Sequence, residues 1–285
     1  MSSAPRSATR PFGQRSVARL LLAGLGLTAP SCGAETAGTA IEWDMAAVSV
    51  IRPGAGHRSA FTTRSGWSVE LDRAEVVLGP IYLHGGGARA DAVPSLLPWL
   101  GLSKAYAHPA DSTFDGGPPL GEVLDQNVLD LLESEPMPLA RVYGLEGRAQ
   151  TFEIQLHPPG YSTSGAASAD MTTMDGHSFV FEGVARRGEV ERPFFAAGHL
   201  GELETERAIT SIPTDVRLLD ASERAGPLLL EVRLDDWFRL VDFSALSEQD
   251  EEGRYLLPPG TVEGESLRRG IRSRTAYDLT WSQQP

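Results

Sequence analysis

The sequence predicts an all-β protein, an antiparallel β-sandwich with short helices and long loops, and three observations carry that prediction. Short segments alternate apolar and polar residues and are enriched in β-branched types, the signature of half-buried strands. The chain's 285 residues include 30 glycines and 20 prolines, enough to argue for many turns and few long helices. Turn signals separate the candidate strands at close intervals, which fits a sandwich better than any alternating α/β plan.

The elements follow in order. Residues 1–19 carry Arg6, Arg10, Arg15 and Arg19 and no acidic residue, and a ten-residue apolar run occupies 20–29. That run is about half of what a bilayer-spanning helix needs. A basic region, a short apolar region and small residues before a cut site describe an export signal. Ala29-Pro30-Ser31 ahead of Cys32 resembles a lipobox, in which cleavage exposes the cysteine and its thiol takes a diacylglycerol. Residues 1–32 are therefore expected to be a lipoprotein signal ending at a lipidated Cys32, 33–40 a flexible tether, and 41–285 the sandwich domain. The implied location is the bacterial cell envelope, with the domain anchored to a membrane and facing the periplasm or the exterior.

Within the domain, 41–50 reads as the first strand. Residues 67–71 alternate cleanly, and 74–83 continue the pattern across Gly79-Pro80, a bulge or edge position because proline cannot donate to a ladder. Residues 85–117 break into a glycine run, a short helix at 95–102 and a long loop at 106–111. Strands resume at 122–132, 140–144 and 149–156, and the Ser, Gly and Ala-rich stretch 160–170 reads as a surface loop. A hairpin follows, 177–186 and 190–196, with Arg187-Gly188-Glu189 as its turn. Strands are expected at 208–212, 215–219 and 228–234. Asp235 and Asp236 suit the N-terminus of a short helix reaching Leu246. Residues 248–252 form an acidic loop, 263–271 a helix and 276–281 a final strand.

Composition narrows function. From Cys32 onward 21 basic and 38 acidic residues remain, a net charge of −17, which disfavours nucleic-acid binding. Cys32 is the only cysteine, so the domain holds no intrachain disulfide, no cysteine-based zinc site and no dithiol redox pair. The nucleophile elbow and the phosphate-binding glycine loop are absent. The expectation is a binding protein rather than an enzyme.

A metal site in such a domain must use imidazole, thioether and carboxylate. Six histidines are present: His57, His84, His108, His157, His177 and His199. Most fall at strand ends or in adjoining loops, which cluster at the rims of a sandwich. His84 precedes a glycine run, and His108 sits in Ala107-His108-Pro109 with Asp111 nearby. The segments Met171-Thr172-Thr173-Met174-Asp175-Gly176-His177-Ser178-Phe179-Val180-Phe181-Glu182-Gly183 and Phe194-Phe195-Ala196-Ala197-Gly198-His199-Leu200-Gly201 resemble the periplasmic copper-binding β-sandwich proteins associated with methanobactin. On that resemblance His199 takes the family's histidine position, and Met171 and Met174 stand where its methionines and tryptophans cluster. This chain has no tryptophan there. The expected site is copper or zinc held by His84, His108, His177 and His199, with Met171 or Met174 contributing sulfur. An alternative is an adhesion or scaffold lipoprotein recognising a polysaccharide or an envelope protein through Trp99, Tyr106 and Tyr161.

Overall fold

The computed structural model describes residues 39–51, 56–57, 59–85, 119–160, 174–201, 203–223 and 226–282. The leader with Cys32, most of the tether, the helix expected at 95–102, the loop at 106–111 with His108, Trp99, Tyr161 and Met171 lie outside the described residues. Among those described, the elements run β1 (Ala40–Val50), β2 (Gly56–His57), β3 (Ala60–Thr62), β4 (Ser68–Leu78), β5 (Ile81–Gly85), β6 (Pro119–Val123), β7 (Asn127–Asp130), β8 (Met137–Leu145) and β9 (Gly147–Gln155). They continue as β10 (Phe179–Arg187), β11 (Val190–Gly198), β12 (Ala208–Leu218), β13 (Leu228–Arg233), α1 (Leu234–Phe238), β14 (Tyr255–Leu256), α2 (Val262–Ile271) and β15 (Tyr277–Trp281).

The fold is all-β with short helices. An eight-stranded sheet runs β12-β9-β5-β6-β8-β1-β13-β15, and a seven-stranded sheet runs β14-β11-β10-β4-β3-β2 with β7 also paired to β4. Most pairs are antiparallel, but β1–β13 and β11–β14 are parallel, so both sheets are mixed. The two edges of the larger sheet approach each other: the Trp281 indole on β15 donates to the Arg217 carbonyl on β12 at 2.9 Å. The sheet thereby nearly closes into a barrel, which leaves little exposed edge.

Alternation places one face of each sheet in a shared core. From the larger sheet come Trp43, Met45, Ile81, Leu83, Phe152 and Ile154, and from the smaller Val69, Val76, Phe181 and Phe194, all essentially inaccessible. Phe181 lies at the centre, with ring centroids 5.2 Å from Phe238 and 5.7 Å from Trp237, both edge-on. Aromatic pairs in this geometry add to the burial free energy of each ring. α1 and α2 close one end of this core. Thr261 caps α2 by accepting the Gly264 N–H at 3.1 Å, the expected role of a threonine at that position.

Several sequence expectations resolve differently. The stretch 74–83 is two strands in two sheets, because the chain leaves the smaller sheet at Leu78 and enters the larger at Ile81. Gly79 makes the corner possible: its φ is +117°, and a side chain there would collide with the Asp125 carbonyl. The stretch 122–132 likewise divides into β6 and β7, in opposite sheets. Residues 208–218 instead form one strand, with irregular register between Ile209 and Ile212 and between Pro213 and Val216. The helix opening at Asp235 stops at Phe238. Beyond it Asp242 accepts hydrogen bonds from the Ser244 N–H and Oγ, and such local side-chain bonds compete with helix continuation.

Candidate functional site

Register alone brings two of the candidate histidines together. β10 and β11 form a hairpin in which Phe179 faces Gly198 and Arg187 faces Val190 across a two-residue turn. Continued one residue beyond the open end, that register sets Ser178 opposite His199, with His177 next along and diagonal to it. Their ring centroids are 5.8 Å apart and the planes are inclined at 42°. Two imidazoles sharing a zinc ion, with metal–nitrogen distances of about 2.0–2.1 Å, place their ring centroids roughly 5–6 Å apart.

Local backbone chemistry fixes both rings. Met174-Asp175-Gly176-His177 is a tight turn closed by the His177 N–H donating to the Met174 carbonyl at 2.8 Å. Asp175 and Gly176 have φ of +46° and +79°, the left-handed pair that Asp-Gly adopts most readily. The turn delivers His177 to the start of β10. Ser178 then bonds both ways, its N–H to the Gly198 carbonyl and its carbonyl to the Val77 N–H, each at 2.8 Å. Its buried hydroxyl lies 3.1 Å from His199 Nδ1. A fixed hydrogen bond at one ring nitrogen orients an imidazole for ligation through the other. His177 Nδ1 is buried and takes no hydrogen bond among the described residues.

The surroundings are partly apolar and partly cationic. Met174 is fully buried, packed with Val77 and Val180 on the outer face of the smaller sheet. Arg272, just past the end of α2, donates to the carbonyls of Leu200 and Glu206 and so pins the segment after His199. Arg268, on the same helix, is paired with Glu265 at 2.9 Å, which offsets its charge near the site.

The remaining candidates are placed as follows. His84 is buried on β5 of the larger sheet, opposite Thr151 of β9. His108 and Met171 lie outside the described residues. Among the described residues, no group of three or more histidine, aspartate or glutamate side chains converges as metal ligands would, so His84 is not brought to the pair. A cleft of about 480 Å³ lined by Glu146, Arg148, Asp215 and Arg217 lies elsewhere. Its charges are already paired, Arg148 with Asp215 and Arg217 with Glu146.

Two features escaped the sequence. Ser178 was not singled out, although its position beside His177 and opposite His199 follows from the hairpin register. The second is a polar row, Glu153, Gln155 and His157. The row runs from Glu153 and the half-buried Gln155 on β9 to His157 just beyond the strand, and its trace in the sequence is the alternation of these three residues with Ile154 and Leu156. Among the described residues no helix is long and apolar enough to cross a membrane. Comparison with known proteins found no matching family model, no matching curated protein and no matching solved structure.

Proposed function

We propose that this chain is an exported, lipid-anchored binding protein of the bacterial envelope that takes up a transition-metal ion, copper or zinc, at the His177–His199 pair. The single observation that carries the proposal is the 5.8 Å approach of the two imidazoles at the open end of one hairpin, with Ser178 held against His199 Nδ1. Both metals accept imidazole nitrogen readily. Two protein ligands leave coordination positions for water or an incoming group, the property of a site that exchanges its metal rather than one that locks it in. Ligation requires neutral imidazole, so uptake weakens as pH falls below about 6. A His177⁺–His199⁺ pair would also repel an arriving cation.

The resemblance to methanobactin-associated copper proteins supports the same choice of metals. Anchoring rests on Cys32 behind the apolar leader, since acyl chains contribute roughly 0.8 kcal/mol per buried methylene. Metal analysis of protein purified from an envelope extract tests both parts together. Copper or zinc should accompany the protein, and Cys32→Ser should release it from the membrane fraction with its metal still bound. Metal-free protein from metal-replete cells would remove the first part, and a membrane-bound Cys32→Ser variant the second.

A further inference from the structure

On the outer face of the larger sheet, away from the histidine pair, a row of polar side chains runs along β9 to His157 just beyond the strand, and the fold buries both its ends. Glu153 is 2% exposed and His157 is inaccessible. Gln155 stands between them and bridges both: its Nε2 donates to Glu153 Oε1 at 2.9 Å, and its Oε1 lies 2.7 Å from His157 Nε2. An amide oxygen only accepts, so the histidine donates. The other carboxylate oxygen, Glu153 Oε2, is buried and receives no hydrogen bond among the described residues. A buried carboxylate with one donor costs far more than the neutral acid in the same place.

The groups facing Glu153 do not help an anion. Across β5 its direct partner is Tyr82, whose other neighbour is Glu122 on β6, and His84 lies two residues along the same face of β5. Burial first, then the neighbouring Glu122, pushes the Tyr82 hydroxyl above its usual range, so it stays neutral as well. On the β12 side Thr210 and Ser211 lie opposite, uncharged. Desolvation raises the Glu153 carboxyl above its ordinary value, and the Gln155 bond only partly opposes this.

The ladder beside Glu153 is irregular. The ladder between β9 and β12 loses its register between Ile209 and Ile212, whose partners Ile154 and Phe152 flank Glu153. Ser211 inside that irregularity has φ of +55°, a strained conformation for a non-glycine residue. A charge appearing on Glu153 would arise beside this irregularity in the pairing.

We propose that Glu153 is a protonation latch: the folded chain holds it as a neutral carboxylic acid, and loss of that proton opens the β9–β12 seam. The sign follows from linkage. A carboxyl bound more tightly to its proton in the closed than in the open form stabilises the closed form fully below about pH 4.3, the ordinary glutamate value. That contribution declines as pH rises through the raised value. In an envelope open to its surroundings, such a latch would make this edge of the domain respond to external pH without involving the histidine pair.

Hydrogen exchange of the 209–212 amides, followed from pH 4 to pH 9 in the full chain, tests it. In the wild type, exchange should climb with pH more steeply than in Glu153→Gln, by up to about ten-fold per pH unit while the latch is titrating. The glutamine keeps the shape and cannot ionise. Equal slopes in the two proteins would overturn the proposal. A second readout is infrared: the wild type should show a protonated carboxylic acid band, missing from Glu153→Gln, that persists above the ordinary glutamate value of about 4.3, and identical spectra would overturn the latch equally.

Discussion

Among single residues, Ser178 decides how the two histidines meet. Its hydroxyl lies 3.1 Å from His199 Nδ1, and its backbone ties β10 to both Gly198 and Val77. Removing such an orienting partner from a metal ligand typically weakens binding about 10- to 100-fold. Ser178→Ala should therefore lose affinity in that range by calorimetric titration with Zn²⁺, with a circular dichroism spectrum matching the wild type. Unchanged affinity would mean the hydroxyl only fills space. His177 and His199 were legible as candidates because they flank the strands of a recognisable hairpin, and antiparallel register makes such flanking residues neighbours. Glu153 was not legible in the same way. A glutamate in an alternating strand reads as solvent-facing, and only the three-dimensional placement of the outer face buries it.

At the scale of elements, local chemistry set the boundaries and long-range pairing set the connections. The hairpin of β10 and β11 and the helix at 263–271 were readable because their signals are local: alternation with a glycine turn, and a continuous helical run. The corners at Gly79 and between Val123 and Asn127 were not, since nothing in a continuous strand pattern shows that the chain changes sheets. The turn after α1 has its own electrostatic signature. Asp242 accepts from Ser244 Oγ at 2.7 Å, from the Ser244 N–H at 3.0 Å and from the Trp67 indole at 3.0 Å, and these bonds, those of Ser244 first, hold its carboxyl below the usual range. A depressed carboxyl contributes stability above the unfolded value of about 3.9, and that contribution is lost as pH falls through the folded value. Urea unfolding at pH 5 and pH 2.5 should accordingly show a larger acid loss for the wild type than for Asp242→Asn. Parallel losses would show that the three bonds do not favour the charged form.

The whole molecule is a near-barrel packed against a second sheet, and its composition foretold the class but not the closure. Abundant turn residues and short alternating segments sufficed for all-β. The parallel pairing of β1 with β13, whose residues Met45 and Leu228 are partners, has no local signature across so long a separation. Trp281 reaching the Arg217 carbonyl is likewise visible only once the sheet has curled. This architecture leaves the open end of the β10–β11 hairpin as the place where two imidazoles converge, and the binding of a metal there is the central claim. Isothermal titration of the full-length wild type, His177→Ala and His199→Ala with Zn²⁺ and Cu²⁺ at pH 7.5 tests it most directly. One equivalent of at least one of these ions should bind the wild type, and each substitution should weaken that binding at least ten-fold. A wild type that takes up neither ion, or variants that bind as well as it does, would contradict the assignment.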